Sequence, residues 1–83
     1  MKKFIVNIQL PTSGNNYDVY LPAGKRISEI VGLLVDMAGS LTNGAFKGTD
    51  ISVLLNADSG EPLARDVTVY DAGIRNSSRL ILI

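Results

Sequence analysis

Cysteine and histidine are both missing, and each absence closes off chemistry. The 83 residues contain no cysteine, which excludes a disulfide framework, a thiol nucleophile and an iron–sulfur ligand set. They contain no histidine either, which removes the commonest general base and the commonest metal ligand together. Charge is sparse and balanced, at 19% of residues with eight basic against eight acidic. Phosphate recognition needs a concentrated basic footprint, so no nucleic-acid partner is expected. The adjacent basic pairs, Lys2-Lys3 and Lys25-Arg26, read as solvated surface. No apolar run approaches the roughly 20 residues that span a bilayer. The stretch behind Lys2-Lys3 is broken by Asn7, Gln9 and Pro11 before it reaches the length of a signal peptide. The expectation is a cytoplasmic protein with no direct membrane insertion.

What is present suffices for one core. Hydrophobic residues make up 46% of the chain, too many for disorder, and the length fits a single domain over residues 1–83 of modest stability.

The hydrophobic pattern divides the chain into elements. Val6, Ile8 and Leu10 alternate with Asn7 and Gln9, the period of a half-buried strand over 4–10. Residues 11–16 are a cluster of turn formers, and Tyr17 to Leu21 is again strand-like, so the two read as a hairpin. Ile27, Ile30, Val31 and Leu34 then form the stripe of an amphipathic helix, extended by Met37 and Ala38. Gly39 occupies the position of a left-handed C-terminal cap. Gly32 inside the helix costs about 1 kcal/mol against alanine, a cost that close packing against a sheet would justify. Residues 40–49 read as a loop with Phe46 tucked under the core. Ile51 to Leu55 is a strand with Ile51, Val53 and Leu55 on one face, 56–62 a turn, Leu63 a very short strand, 68–74 a compact turn, and 79–83 a last strand.

A hairpin, one helix and further strands do not make a doubly wound sheet, which requires strands and helices to alternate. The economical solution is an α+β fold in which one helix crosses one face of a mixed four- to five-stranded sheet, with the first and last strands parallel at its centre.

That order resembles the ubiquitin-like β-grasp. Residues 68–83, with Val69, Ile74, Leu80 and Leu82 as buried positions, are similar to the closing segment of ubiquitin-like domains. A nearer resemblance is to the small YukD/EsaB-type ubiquitin-like proteins of Gram-positive type VII secretion. It extends to the ubiquitin-like N-terminal domains of membrane components in the actinobacterial version of that system. The strand IVNIQLP, the hairpin segment YDVYLPAG and a helix ending near Ala38-Gly39 are similar to members of both groups. So is the closing motif of Asp71, Gly73, Ile74, Asn76, Arg79, Leu80 and Leu82. The resemblance covers the whole chain. One departure is Ser77-Ser78, where the family often has Gly-Asp.

Conjugation and sulfur carriage by β-grasp proteins use a flexible Gly-Gly tail that an activating enzyme can reach. This sequence closes with Leu80-Ile81-Leu82-Ile83, and its last glycine is Gly73, so conjugation through the C-terminus is not expected.

The candidate catalytic groups lack the partners that their chemistry needs. Asp66 with Asp71, and Asp58 with Glu61, are carboxylate pairs with no histidine or cysteine to complete them, and read as solvated turn acids. Ser13, Ser28, Ser77 and Ser78 lack a base, so a nucleophilic triad would need an outside partner. Asp50, Asp58 and Asp66 do not follow calcium-loop spacing, and Gly14, Gly44 and Gly48 form no phosphate-binding fingerprint. No enzyme activity, cofactor or metal is expected.

The surplus apolar residues say more. With Leu55, Leu80 and Leu82 facing the helix, strand alternation turns Ile5, Leu54, Ile81 and Ile83 to the uncovered side of the sheet. An exposed aliphatic cluster marks an interaction site, and ubiquitin-like domains commonly bind partners through this face. The plain alternative is scattered surface aliphatics, and a third is weak self-association through the same patch. Tyr17, Tyr20 and Tyr70 read as structural, and Leu33 as a second, minor contact. Together these predict a non-enzymatic adaptor of a type VII secretion system that binds a larger, membrane-anchored component through Ile5, Leu54, Ile81 and Ile83. A ubiquitin-like non-catalytic subunit of a multicomponent bacterial enzyme, such as an oxygenase, is the alternative.

Overall fold

The alternation at the start of the sequence produces strand β1 (Lys3–Leu10), whose Phe4, Val6, Ile8 and Leu10 are all buried. In the computed structural model, which describes residues 2–11, 14–42 and 52–83, β1 turns back into strand β2 (Asn15–Pro22). The two pair antiparallel from Lys3 opposite Pro22 to Leu10 opposite Asn15. Gly14 makes the turn possible: its φ of 74° is in the left-handed region, and its N–H donates to the Leu10 carbonyl at 3.0 Å. The expectations for Ser13, Phe46, Ile51 and the loop over 43–49 lie outside the described residues.

Helix α1 (Ile27–Leu41) buries Ile27, Ile30, Val31, Leu34 and Ala38, the stripe that the spacing predicts. Its ends differ from expectation. The helix runs through Gly39 and stops at Thr42, whose N–H and hydroxyl both bond the Ala38 carbonyl, at 3.1 and 2.6 Å. A backbone-and-hydroxyl stop of this kind uses no left-handed glycine, so Gly39 is simply helical. At the other end Arg26 supplies no side-chain cap. The orphan first-turn N–H groups of Ile27 and Ser28 donate instead to the carbonyls of Val67 and Arg65, at 2.9 and 3.0 Å. A distant loop therefore caps the helix. Gly32 is exposed, and a Cβ built there meets nothing within 4 Å, so close packing does not explain it.

Strand β3 is only Leu54–Asn56, and strand β4 is Arg79–Leu82. Among the described residues the sheet has four strands in the order β2-β1-β4-β3, with β1 and β4 parallel at the centre and β3 antiparallel to β4. The very short strand expected at Leu63 is a single bridge between Leu55 and Pro62, with the Leu63 N–H on the Leu54 carbonyl at 2.9 Å. The helix covers one face, and its stripe meets Val6, Ile8, Leu10, Leu54, Leu80 and Leu82 in a single core. This is the expected α+β, ubiquitin-like β-grasp arrangement.

The closing segment locks the core. Val69, Ile74, Leu80 and Leu82 are each at most 2% exposed. The Ala72 N–H on Thr68 and the Gly73 N–H on Tyr70 close a helical turn, and Gly73 leaves it at φ 86°. Ser77 is the sole described non-glycine residue with positive φ, at 71°. A serine thus stands where glycine is conformationally preferred.

Candidate functional site

Face assignment follows from register. Lys3, Ile5, Asn7 and Gln9 of β1 turn away from the helix, as do their β2 neighbours Pro22, Tyr20, Asp18 and Asn16. Across the parallel pair, Asn7 lies beside Arg79 and Gln9 beside Ile81, so Arg79, Ile81 and Ile83 share this outer face. Leu55 is opposite Ile81. Val53 and Ile83 exchange both backbone hydrogen bonds, at 2.9 and 3.0 Å, which sets Val53 beside Ile83.

Leu54 therefore faces the core, at 1% exposure, and is not part of the outer surface. The expected parity of this strand is reversed. Ile51 to Leu55 carries one polar residue, Ser52, and that serine is itself on the buried side at 4% exposure. Its carbonyl accepts from the Arg65 guanidinium at 3.1 Å. Alternation read from the apolar residues alone could not reveal this. Leu55, half-buried, takes the outward position that the sequence reading gave to Leu54.

The other three expected residues do lie on the outer face, but not in one patch. Ile81 is half-buried and Ile83 is 50% exposed. With Val53 and Leu55 they form an aliphatic cluster along β3 and β4. Ile5 belongs to another row, opposite Tyr20. It is four residues along β1 from the row of Ile81, about 13 Å at strand rise. Between them runs a polar row. The Asn7 side-chain amide donates to Asn16 and Asp18, at 3.3 and 3.1 Å, and Arg79 pairs with Asp58.

The tyrosines divide as well. Tyr17 packs against the core, whereas Tyr20 and Tyr70 are 64% and 49% exposed. Leu33 projects from the helix at 58% exposure.

Chemically, the outer face offers apolar area and a few fixed hydrogen-bonding groups. Its charged pair is solvent-exposed and contributes about 0–1 kcal/mol. Asp66 and Asp71 are exposed acids of turns. Among the described residues no three acidic, histidine or cysteine side chains converge to hold a metal ion, and no helix is long and apolar enough to cross a membrane.

No protein-family model matches this sequence, and no curated protein matches it in sequence. Its fold, however, is similar to several solved structures. The EccD5 ubiquitin-like domain from Mycobacterium xenopi superposes with a TM-score of 0.83 at 19% identity, over 100% of this chain and 94% of that one. The ubiquitin-like domain of the type VII secretion protein EccD1 from Mycobacterium tuberculosis gives 0.77 at 22% identity, over 100% and 99%. A ubiquitin from Caldiarchaeum subterraneum gives 0.76 at 13% identity, over 99% and 92%. A chain of the MycP5-free ESX-5 inner membrane complex gives 0.81 at 18% identity, and there 98% of this chain matches 20% of the larger one. The ubiquitin-like fold is shared by all four.

Proposed function

We propose that this protein is a non-enzymatic, ubiquitin-like component of a type VII secretion system, of the YukD/EsaB type. It acts on the cytoplasmic side by docking onto a larger, membrane-anchored component. One observation carries the reading: the fold matches, from end to end, ubiquitin-like domains that belong to EccD proteins and to an inner membrane complex of that system. The closing motif of Asp71, Gly73, Ile74, Asn76 and Arg79 supports it from the sequence side.

The docking surface is the aliphatic cluster of Leu55, Ile81 and Ile83 with Val53. Apolar side chains gathered on the uncovered face of a small sheet contribute binding free energy when a partner removes them from water, about 25 cal/mol for each Å². The experiment is a crosslinked capture from the native host, comparing wild type with Leu55→Asp/Ile81→Asp. Membrane components of the secretion system should be recovered with wild type and lost with the variant. Recovery of oxygenase subunits instead would replace the secretion role, and equal recovery by both proteins would remove the sheet face from it.

A further inference from the structure

Cations and aromatic rings converge at the end of the molecule where β1 begins and β2 finishes. The Lys2 ammonium lies 5.4 Å from the Phe4 ring centroid and 5.7 Å from that of Tyr70. The Arg75 guanidinium lies 3.9 Å from the Tyr70 centroid and 5.5 Å from that of Phe4. Phe4 and Tyr70 are themselves stacked, with centroids 6.5 Å apart. On the neighbouring outer face Lys3 lies 5.5 Å over Tyr20, which stands opposite Ile5. Backbone bonds hold the pieces together: the Ala23 N–H donates to Lys2 and the Tyr70 N–H to Ala23, at 2.9 and 3.0 Å.

Two features set this end apart. Lys2 and Arg75 are like charges drawn to the same rings, yet the ion pairs among the described residues are Lys25–Glu29 and Arg79–Asp58, which include none of Lys2, Lys3 and Arg75. Arg75 is also immobilised. Its Nη1 donates to the carbonyls of Tyr70 and Ile74, at 3.0 and 2.7 Å, so one side of the fork is held while the guanidinium stays exposed. A cation fixed in place loses little freedom on meeting a carboxylate.

We infer that Lys2, Lys3, Tyr20, Tyr70 and Arg75 form a second docking site, separate from the aliphatic cluster, for an acidic peptide segment of a protein partner. Carboxylates would relieve the repulsion between the clustered cations. Ile5, Tyr20 and Tyr70, all exposed, supply the packing area that peptides use and that tyrosine offers at low entropic cost. A membrane surface fits less well, because adsorption to anionic lipid draws on clusters of about four to eight basic residues.

The test is an amide chemical-shift titration of the full chain with a hexaglutamate peptide, and in parallel with vesicles of phosphatidylglycerol and phosphatidylcholine. Peptide-induced shifts should centre on Lys2, Phe4, Tyr20, Tyr70 and Arg75 and fade with added salt. Lys2→Glu/Lys3→Glu alters exposed side chains only and should weaken binding about tenfold, whereas Lys25→Glu/Arg26→Glu should not. The sheet-face variant Leu55→Asp/Ile81→Asp should bind the peptide like wild type, so this site stands or falls independently of the other. Shifts spread evenly over all basic residues, no response to the Lys2→Glu/Lys3→Glu change, or binding to vesicles alone would each overturn the assignment.

Discussion

The backbone N–H of Ile5 donates to the side-chain oxygen of Asn76 at 3.0 Å, across 71 positions of chain. The Ser77 N–H returns a bond to the Ile5 carbonyl at 2.8 Å, and the Asn7 N–H continues onto Ser78 at 2.9 Å. Asn76 thus extends the parallel pairing of β1 and β4 beyond the strand itself. Asn76→Ala should lower stability by about 1 kcal/mol, because it leaves the Ile5 N–H without its acceptor. Asn76→Asp, which keeps an oxygen there, should recover most of the loss. Urea unfolding of the three proteins reads both effects.

Leu54 and Leu55 are adjacent in sequence and opposite in consequence. Leu54→Ala should cost about 2–5 kcal/mol, as truncations of fully buried leucine do. Leu55→Ala should cost well under half as much, since its side chain is only half-buried. Equal losses in thermal or urea unfolding would contradict the register of β3.

Gly32 is an exposed glycine in the middle of α1, with open space where a Cβ would go. Gly32→Ala should stabilise the protein by about 1 kcal/mol, read as a higher urea midpoint with an unchanged slope. Partner capture should be the same as wild type.

Ser77, at φ 71°, is strained by about 1–2 kcal/mol relative to a right-handed or extended residue. Ser77→Gly removes that strain, and the greater freedom of glycine in the unfolded chain offsets part of it. A net gain of about 0.5–1 kcal/mol is expected. Ser77→Val should destabilise, because a β-branched residue is a genuine outlier in that region. Differential scanning calorimetry separates the two variants.

Most of the fold was legible because period and punctuation agreed. Val6, Ile8 and Leu10 announced a strand, Ile27, Ile30, Val31 and Leu34 announced a helix, and each is buried as expected. The closing residues Val69, Ile74, Leu80 and Leu82 were readable from the resemblance of residues 68–83 to the closing segment of ubiquitin-like domains, and each is buried. What stayed hidden depends on tertiary context. The parity of β3 was masked by a continuous apolar run whose single serine is on the core side. The helix stop at Thr42 and the carbonyl caps from Arg65 and Val67 are contacts that no local pattern encodes. Ile5, Ile81 and Ile83 were placed on the correct face, but distance along a strand is invisible to alternation, so their division into two neighbourhoods emerged only from the register. The cation–aromatic cluster joins residues 2–4 to residues 70–75, and nothing in either segment alone points to the other.

The parallel pairing of β1 with β4 also governs the order in which the protein can be made. β1 and β2 leave the ribosome before β4 and can form their hairpin at once, but the inner edge of β1 has no partner until Arg79 to Leu82 emerge. β3 waits as well, because its ladder is with β4. Between the emergence of β1 and that of β4 the nascent chain therefore carries a bare strand edge, the condition in which one copy is most prone to pair with another. Translation that stalls before β4 would leave two unattached pieces of sheet and a species for chaperones or proteases to clear.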